Sequence, residues 1–212
     1  MLRSLVGSEM CIRDRYRANA QRAKAQSRFA DYHDYLLSLE MTAEIGDFSP
    51  LYLQRITQLT NKSNQFNLTT KRYTAEQMEA VYNSDEYIRL YGKLYDKFGD
   101  NGVVAVTIGK TDSEDKGRLD IELWLMSCRV LKRDMELAML DSLVAQAKKR
   151  GIREIYGHYY PTAKNKMVAG LYESFGFEKI SQDEEGNTAW RLLVEGYEDK
   201  NTVIKVKEEH YA

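Results

Sequence analysis

The sequence predicts an α/β protein in which a mixed sheet is flanked by helices and preceded by a short helical segment. Three observations lead to this prediction. Runs of β-branched and aromatic residues, separated by turn residues, indicate strands in the later part of the chain. Two stretches with helical apolar spacing lie between the later strands and predict crossover connections. The chain has 212 residues, 43% of them hydrophobic, which suffices for one sizeable core.

Composition and charge exclude several classes of protein. The 31 Lys and Arg residues balance 32 Asp and Glu residues, so there is no general basic field and we expect no nucleic acid partner. Cys11 and Cys128 stand far apart, which indicates neither a disulfide framework nor a metal site and favours a reducing compartment. No apolar run approaches the roughly 20 residues that cross a bilayer. We therefore expect a cytoplasmic protein with no membrane contact.

The first 15 residues require a separate interpretation. They contain SLVGSEMCIRDR, which resembles a peptide translated from sequencing adapter at the ends of environmental gene models. The alternative is a native N terminus that frays. Under either interpretation we expect no function for Cys11. If the segment is adapter, the chain is N-terminally truncated and is a C-terminal fragment.

Residues 16–64 are predicted to be helical. Apolar side chains recur at spacings of three or four up to residue 39, which indicates one helix over residues 16–39. Ser49 and Pro50 break the pattern, and a second short helix follows. Its apolar residues are Leu53, Ile56 and Leu59. We interpret residues 16–64 as a remnant of, or linker from, a lost upstream domain.

Residues 65–212 are predicted to form one domain that folds alone. A strand over residues 67–73 leads into a helix whose start has a capping box made of Thr74 and Gln77. The other predicted elements are strands over residues 87–95 and 103–108, a strand over 119–128, a helix over 135–150, a strand over 152–160, a helix over 162–175 and a strand over 188–194. This order predicts a mixed sheet flanked by helices.

The same order of elements resembles the GNAT acyltransferase fold. The local match consists of Asn165, Tyr172 seven positions later, and the pair Gly176-Phe177. Four blocks are more specific: KSNQFNLTTKRY at 62–73, KFGDNG at 97–102, LWLMSCRVLKR at 123–133 and YPTAKN at 160–165. They resemble the C-terminal portion of FkbH-like proteins of the HAD-IIIC family, and the resemblance covers residues 16–194. In that family a haloacid-dehalogenase-type phosphatase domain precedes a GNAT-like domain.

The resemblance implies a role in loading a glyceryl unit from a glycolytic bisphosphate onto an acyl carrier protein. It also implies an upstream HAD-type phosphatase domain as a partner. The Asp-x-Asp motif that such a phosphatase needs does not occur in this chain. Any phosphatase activity would therefore belong to the missing part.

The stretch RVLKRD at residues 129–134 corresponds to the GNAT turn that reads Arg or Gln, x, x, Gly, x, Gly or Ala. Glycine lets the backbone N–H groups at a helix start approach the pyrophosphate of coenzyme A closely. Because both glycine positions carry side chains, we expect coenzyme A to bind weakly. Lys132 and Arg133 could instead bind the phosphate of a phosphopantetheine arm, and Arg129 beside them is a further cofactor-binding candidate. The alternative is an ordinary helix start with Asp134 as its cap.

Two residues are candidates for catalysis from their own chemistry. Cys128 is predicted at a strand end beside Arg129 and near a helix start, an arrangement that favours the thiolate, so it could form a thioester. The alternative is a small buried residue. His158, on the neighbouring strand, could serve as a base. The alternative is a histidine that is merely exposed or hydrogen-bonded.

Further site residues follow from the GNAT resemblance. It implies that Tyr172 protonates the leaving thiolate and that Asn165 contacts the pantetheine arm. Packing explains Tyr172 equally well, because it borders an apolar helix stripe. Asp120 and Glu122 lie on a strand where a GNAT base is often found, or they are solvated strand acids.

A polar run between the second helix and the next strand could bind a polar acyl group. Its candidates are Asn64, Gln65 and Asn67, and the alternative is local capping of the backbone. Together the residues predict a GNAT-type acyltransferase domain acting on a glyceryl or similar group carried as a phosphopantetheine or coenzyme A thioester. The alternative function is a non-catalytic module that docks the carrier protein for the missing phosphatase domain. A third possibility is that the fragment is inactive alone.

Overall fold

The computed structural model describes residues 16–208. The predictions for residues 1–15, including Cys11, lie outside these residues. The helices are α1 (residues 16–26), α2 (Tyr32–Ser38), α3 (Pro50–Lys62), α4 (Ala75–Tyr82), α5 (Met135–Lys149) and α6 (Leu171–Ser174). The strands are β1 (Thr42–Asp47), β2 (Phe66–Asn67), β3 (Tyr87–Asp96), β4 (Gly99–Thr111), β5 (Arg118–Met126), β6 (Glu154–Tyr159), β7 (Glu178–Gln182), β8 (Thr188–Leu193) and β9 (Lys205–Glu208). Short 3-10 turns span Cys128–Val130 and Lys166–Val168.

The strands within the described residues form one mixed sheet, which confirms the predicted fold class. Its order is β7-β8-β6-β5-β4-β3-β1-β9, and β2 pairs with β5. Helix α5 packs on one face with α2 and α6, and helices α3 and α4 pack on the other. Each face has its own buried apolar cluster, so the sheet carries two cores.

Local signals in the sequence are confirmed at several boundaries. The Thr74 hydroxyl accepts a hydrogen bond from the Gln77 N–H, and the Gln77 side chain accepts one from the Thr74 N–H. The predicted hairpin is formed by β3 and β4, and the predicted helix over 135–150 is α5. Gly151 ends that helix with a φ of 71°, a conformation that costs glycine little.

The N-terminal part differs from the prediction. Residues 16–39 form two helices, and Asp31 starts the second by accepting a hydrogen bond from the Asp34 N–H. Strand β1 was not predicted, because TAEIGD contains a single β-branched apolar residue and a glycine. It pairs antiparallel with β3 and parallel with β9, a strand that was also missed. The sheet therefore crosses the expected boundary at residue 65.

The predicted helix over residues 162–175 is wrong. The chain forms the 3-10 turn Lys166–Val168, and the short helix α6 follows it. Gly170 precedes α6. The Asn165 side chain does not cap a helix; it accepts a hydrogen bond from the Thr162 N–H and donates one to the Asn67 carbonyl. Strand β7, which follows, was also not predicted.

Strands β5 and β6 run side by side only at one end. Their parallel pairing extends from Arg118 opposite Glu154 to Asp120 opposite Tyr156. Beyond Asp120 the strands separate, and the chain around Leu68 fills the gap between them. The Leu68 N–H donates to the Trp124 carbonyl at 3.1 Å, and the Leu68 carbonyl accepts from the Tyr160 N–H at 2.9 Å.

Candidate functional site

Cys128 lies immediately beyond the end of β5, and its side chain is exposed. Ser127, the residue before it, is buried and accepts hydrogen bonds from the backbone N–H of Arg129 at 3.4 Å and from its Nε at 3.2 Å. These contacts fix the turn that carries the thiol. An exposed thiol is accessible to a second molecule, unlike the buried cysteine considered as the alternative.

A first cavity opens beside Cys128, between the C-terminal end of α3 and the 3-10 turn. We call it the α3 cavity; its volume is about 740 Å³. Its wall includes Asn64 and Gln65, two of the predicted substrate-binding residues. Four cationic side chains also line it, and no Asp or Glu does so among the described residues. They are Arg55, Lys62, Arg129 and Lys164.

A second cavity opens on the other side of the same thiol. We call it the turn cavity; its volume is about 700 Å³ and it lies between helices α1 and α2 and the turn before α5. Cys128 and Arg129 line both cavities, so the thiol stands where the two meet. Lys132 and Tyr32 also line the turn cavity, and the Tyr32 hydroxyl donates to the Lys132 carbonyl at 2.6 Å.

The Arg133 side chain forms a buried ion pair within the protein. Its guanidinium pairs with Asp96 at 3.0 Å, and Arg22 of α1 pairs with the same carboxylate at 2.8 Å. The Asp96 side chain is fully buried, and both arginines are nearly so. Burial lowers the pKa of Arg133, and the facing Arg22 adds to this effect. Of the two predicted phosphate ligands in this turn, Lys132 is thus the one left facing solvent.

The turn before α5 has a left-handed backbone conformation at two positions, although neither position is glycine. Lys132 has a φ of 62° and Asp134 a φ of 60°, at the two positions where the GNAT pattern has glycine. A non-glycine residue in this region costs about 1–2 kcal/mol. Asp134 is the N-cap residue of α5, as the alternative interpretation has it, but its side chain makes no capping hydrogen bond.

The turn to which the GNAT resemblance assigns the pyrophosphate of coenzyme A carries two carboxyl groups, Asp134 and Glu136. Burial raises the pKa of Asp134, and it raises the pKa of Glu136 to about 7. One oxygen of Glu136 is buried with no hydrogen-bond partner among the described residues. Two poorly solvated carboxyl groups at a helix start oppose a pyrophosphate, which carries negative charge itself.

Tyr172 lies in the core and faces neither cavity. Its ring packs over Gly157, where an added Cβ would come within 2.3 Å of it, and against Trp190 and Phe177. Its hydroxyl is near the backbone N–H of His158 without hydrogen-bond geometry. Complete burial raises the pKa of Tyr172 far above its usual value. This placement favours the packing interpretation over the acid role.

His158 lies in a third cavity, remote from Cys128. This His158 cavity has a volume of about 390 Å³ and is also lined by Asp120, Glu122 and Tyr160. His158 Nε2 is 3.3 Å from Asp120, whose pKa is lowered by hydrogen bonds from His158 and Arg118 although burial opposes the shift. Met126 lies six residues after Asp120, a separation of about 20 Å along the strand. The structure therefore does not bring His158 to the thiol.

The side-chain amide of Asn165 forms its hydrogen bonds with other groups of the protein. Its side-chain N–H₂ donates to the carbonyls of Asn67 at 2.9 Å and Tyr160 at 3.0 Å. Its oxygen accepts from the Thr162 N–H at 2.7 Å. Asn67 is likewise buried, and its side-chain oxygen accepts from the Thr70 N–H at 2.9 Å. Both side chains fasten the segment that fills the gap between β5 and β6.

Arg55, Lys62 and Lys164 were not predicted from the sequence as site residues. A signal was present, since Lys62 opens one of the quoted blocks and Lys164 stands inside another. Within residues 16–208 no group of three or more His, Cys, Asp or Glu side chains is placed to hold a metal ion. None of the helices in that range has the length and apolar character needed to cross a membrane.

Comparison with known proteins shows structural likeness without sequence likeness. No family model matches the chain, and no curated protein matches its sequence. The ribosomal-protein-S18-alanine N-acetyltransferase of Escherichia coli matches with a TM-score of 0.54 and 14% identity, over 76% of this chain and 99% of that one. The GNAT domain of S. lividans PAT matches with a TM-score of 0.55 and 15% identity, over 70% of this chain and 89% of that one.

A third structure, yncA from Salmonella typhimurium, contains its cofactor acetyl-CoA. It matches with a TM-score of 0.54 and 14% identity, over 74% of this chain and 96% of that one. Identities this low establish a common fold and no more. This chain has the fold of the GNAT acetyltransferases.

Proposed function

We propose that this chain transfers an acyl group through a thioester on Cys128, and that its partner is the phosphopantetheine arm of an acyl carrier protein. The observation that carries the proposal is the position of the thiol. Cys128 is exposed at the junction of two cavities that are lined by cationic side chains. An exposed thiol at this position is accessible to the thioester of a second molecule.

The chemical step is an exchange of thioesters. The Cys128 sulfur attacks the carbonyl carbon of the acyl group, a C–S bond to Cys128 forms, and the C–S bond to the arm breaks. The proton that Cys128 loses is taken up by the departing thiol of the arm. The reverse sequence delivers the acyl group to another arm, so the exchange needs no oxidant or metal.

The turn cavity supports a carrier-bound arm rather than free coenzyme A. An arm on a carrier protein has one phosphate and no nucleotide, so it makes no use of a pyrophosphate site. Lys132, whose side chain is exposed, supplies a charge for that phosphate. Carrier proteins are acidic around the arm, and complementary charge would make their docking weaken with salt.

The test is the mass of the protein after incubation with a glyceryl thioester of a carrier protein. We expect a glyceryl adduct on the peptide that contains Cys128, and none in Cys128→Ala. Cys11→Ser serves as the control, because Cys11 should not be acylated. Absence of an adduct on Cys128 would reject the thioester, and retained carrier binding would then favour the docking module. Titration with coenzyme A in the same buffer should show weaker binding than titration with the carrier protein.

One observation favours a second candidate, direct transfer without a thioester. The Asp120 carboxylate orients His158, and such a pair can remove a proton from an acceptor in the His158 cavity. Under this candidate His158→Gln abolishes transfer while Cys128→Ala retains it. Under the thioester proposal the two variants give the opposite results.

A further inference from the structure

Lys62 and Lys164 converge on the α3 cavity from different elements. Lys62 is the last residue of α3, and Lys164 belongs to the loop after β6. Both side chains are exposed. Across residues 16–208 neither lysine has an ion-pair partner. Two lysine charges without an ion-pair partner among the described residues therefore line one concave site.

A structural explanation accounts for only one of the two lysines. A cation in the last turn of a helix interacts favourably with the helix dipole, and this explains Lys62 at the end of α3. It does not explain Lys164, which lies on a loop about 100 residues later in the sequence. Like charges that approach without an acid between them repel, and an anion bound between them removes this cost.

The rest of the wall has the character of a binding site for a small anion. The cavity volume of about 740 Å³ lies within the usual range for small-molecule sites. Ser63, Asn64 and Gln65 add hydroxyl and amide groups, and Phe66 and Met126 add an apolar part. Lysine is a common ligand of phosphate, which it binds as a point charge.

We propose that the α3 cavity is a phosphate site, in which Lys62 and Lys164 hold the phosphate of a ligand whose other end reaches the sulfur of Cys128. The proposal rests on the proposed function for the role of the thiol, but not for the binding of phosphate. It differs from the expectation drawn from the sequence, which placed the phosphate at Lys132 and Arg133. The ligand is a phosphate-bearing molecule small enough for the cavity, or the phosphopantetheine arm if it enters through the α3 cavity instead of the turn cavity.

The test uses the full chain with Cys11→Ser, so that Cys128 is the only thiol. Its alkylation rate is measured with the anionic reagent iodoacetate and with neutral iodoacetamide, with and without inorganic phosphate. We expect phosphate to slow the reaction. We also expect the rate with iodoacetate, divided by the rate with iodoacetamide, to fall about fivefold in the double variant Lys62→Met, Lys164→Met. This change corresponds to roughly 1 kcal/mol of charge attraction. Lys179→Met, on the distant strand β7, is the matched control and should change neither quantity.

The outcomes separate this proposal from the proposed function. Phosphate protection that is lost in the double variant supports the site even if Cys128 never accepts an acyl group. Equal protection in the double variant and in the parent, or no protection in either, overturns it. Where phosphate protects Cys128, acetyl phosphate and phosphopantetheine are next used as competitors in place of inorganic phosphate. Whichever loses its effect in the double variant identifies the source of the phosphate.

Discussion

Arg133 forms an ion pair with Asp96 at 3.0 Å, and this contact joins the turn before α5 to the end of β3. Arg22 reaches the same carboxylate from α1, so one buried acid fastens three separate parts of the chain. The backbone N–H of Phe98 also donates to Asp96, at 2.8 Å. Arg133, which the sequence predicts as a phosphate ligand, thus has a structural role, and the exposed lysines near Cys128 remain as candidate phosphate ligands.

Replacing Asp96 by Asn should destabilise the protein strongly. Two nearly buried guanidinium groups would lose their counter-charge, and breaking a buried ion pair by removing one partner costs about 3–5 kcal/mol. The free energy of unfolding measured in urea should fall by that amount. Asp115→Asn is the control, because its pair with Arg153 is exposed and should contribute less than about 1 kcal/mol. Equal effects of the two substitutions would contradict the structural role of Asp96.

Lys132→Gly should stabilise the protein, although glycine is usually destabilising. Its φ of 62° is strained for any residue with a Cβ, and glycine relieves about 1 kcal/mol of that strain. Lys132→Ala retains the Cβ and should leave the stability nearly unchanged. Thermal unfolding of the two variants measures the difference. If Ala and Gly give the same midpoint, the turn does not have this conformation.

Tyr172→Phe distinguishes packing from proton donation. The hydroxyl is buried without a hydrogen bond among the described residues, so its removal should not lower the free energy of unfolding. Acylation of Cys128 should continue at the parental rate. Loss of transfer with unchanged stability would instead restore the role that the GNAT resemblance implies for Tyr172.

Stability should depend on pH through Glu136. Burial raises its folded-state pKa from 4.5 to about 7, so between these values the folded protein binds a proton that the unfolded chain has released. The free energy of unfolding should therefore decrease as pH rises through this window, by at most about 3 kcal/mol. Glu136→Gln should remove this decrease, whereas Glu79→Gln, on the exposed side of α4, should retain it. Denaturant titrations from pH 4 to pH 8 provide the measurement, and identical profiles would reject the assignment to Glu136.

A chain that begins at Gln65 tests the expected domain boundary. It would lack β1, which lies between β3 and β9 in the sheet, and α3, which covers one of the two cores. We expect such a chain to aggregate or to lose cooperative unfolding, because it exposes a strand edge and apolar surface. A chain that begins at Tyr16 is the control. Independent folding from Gln65 would support the boundary drawn from the sequence.

The chain's own pattern determined the elements whose signals are local. The Thr74 and Gln77 capping box, the apolar stripe of α5 and the hairpin of β3 and β4 could all be predicted, since each depends on residues close in sequence. Strand β1 could not, because its residues have low strand propensity and its pairing with β3 and β9 is supplied by distant parts of the chain.

The candidate site shows the same division. The sequence by itself identified Cys128, Arg129, Asn64 and Gln65 as polar or reactive residues, and the structure gathers them around one cavity. Only the tertiary structure decided that Arg133 turns to Asp96, that His158 lies far from the thiol, and that Lys62 and Lys164 line the cavity beside it. The physical reason is that a side chain's partner is set by the packing of elements distant in sequence, which local spacing does not encode.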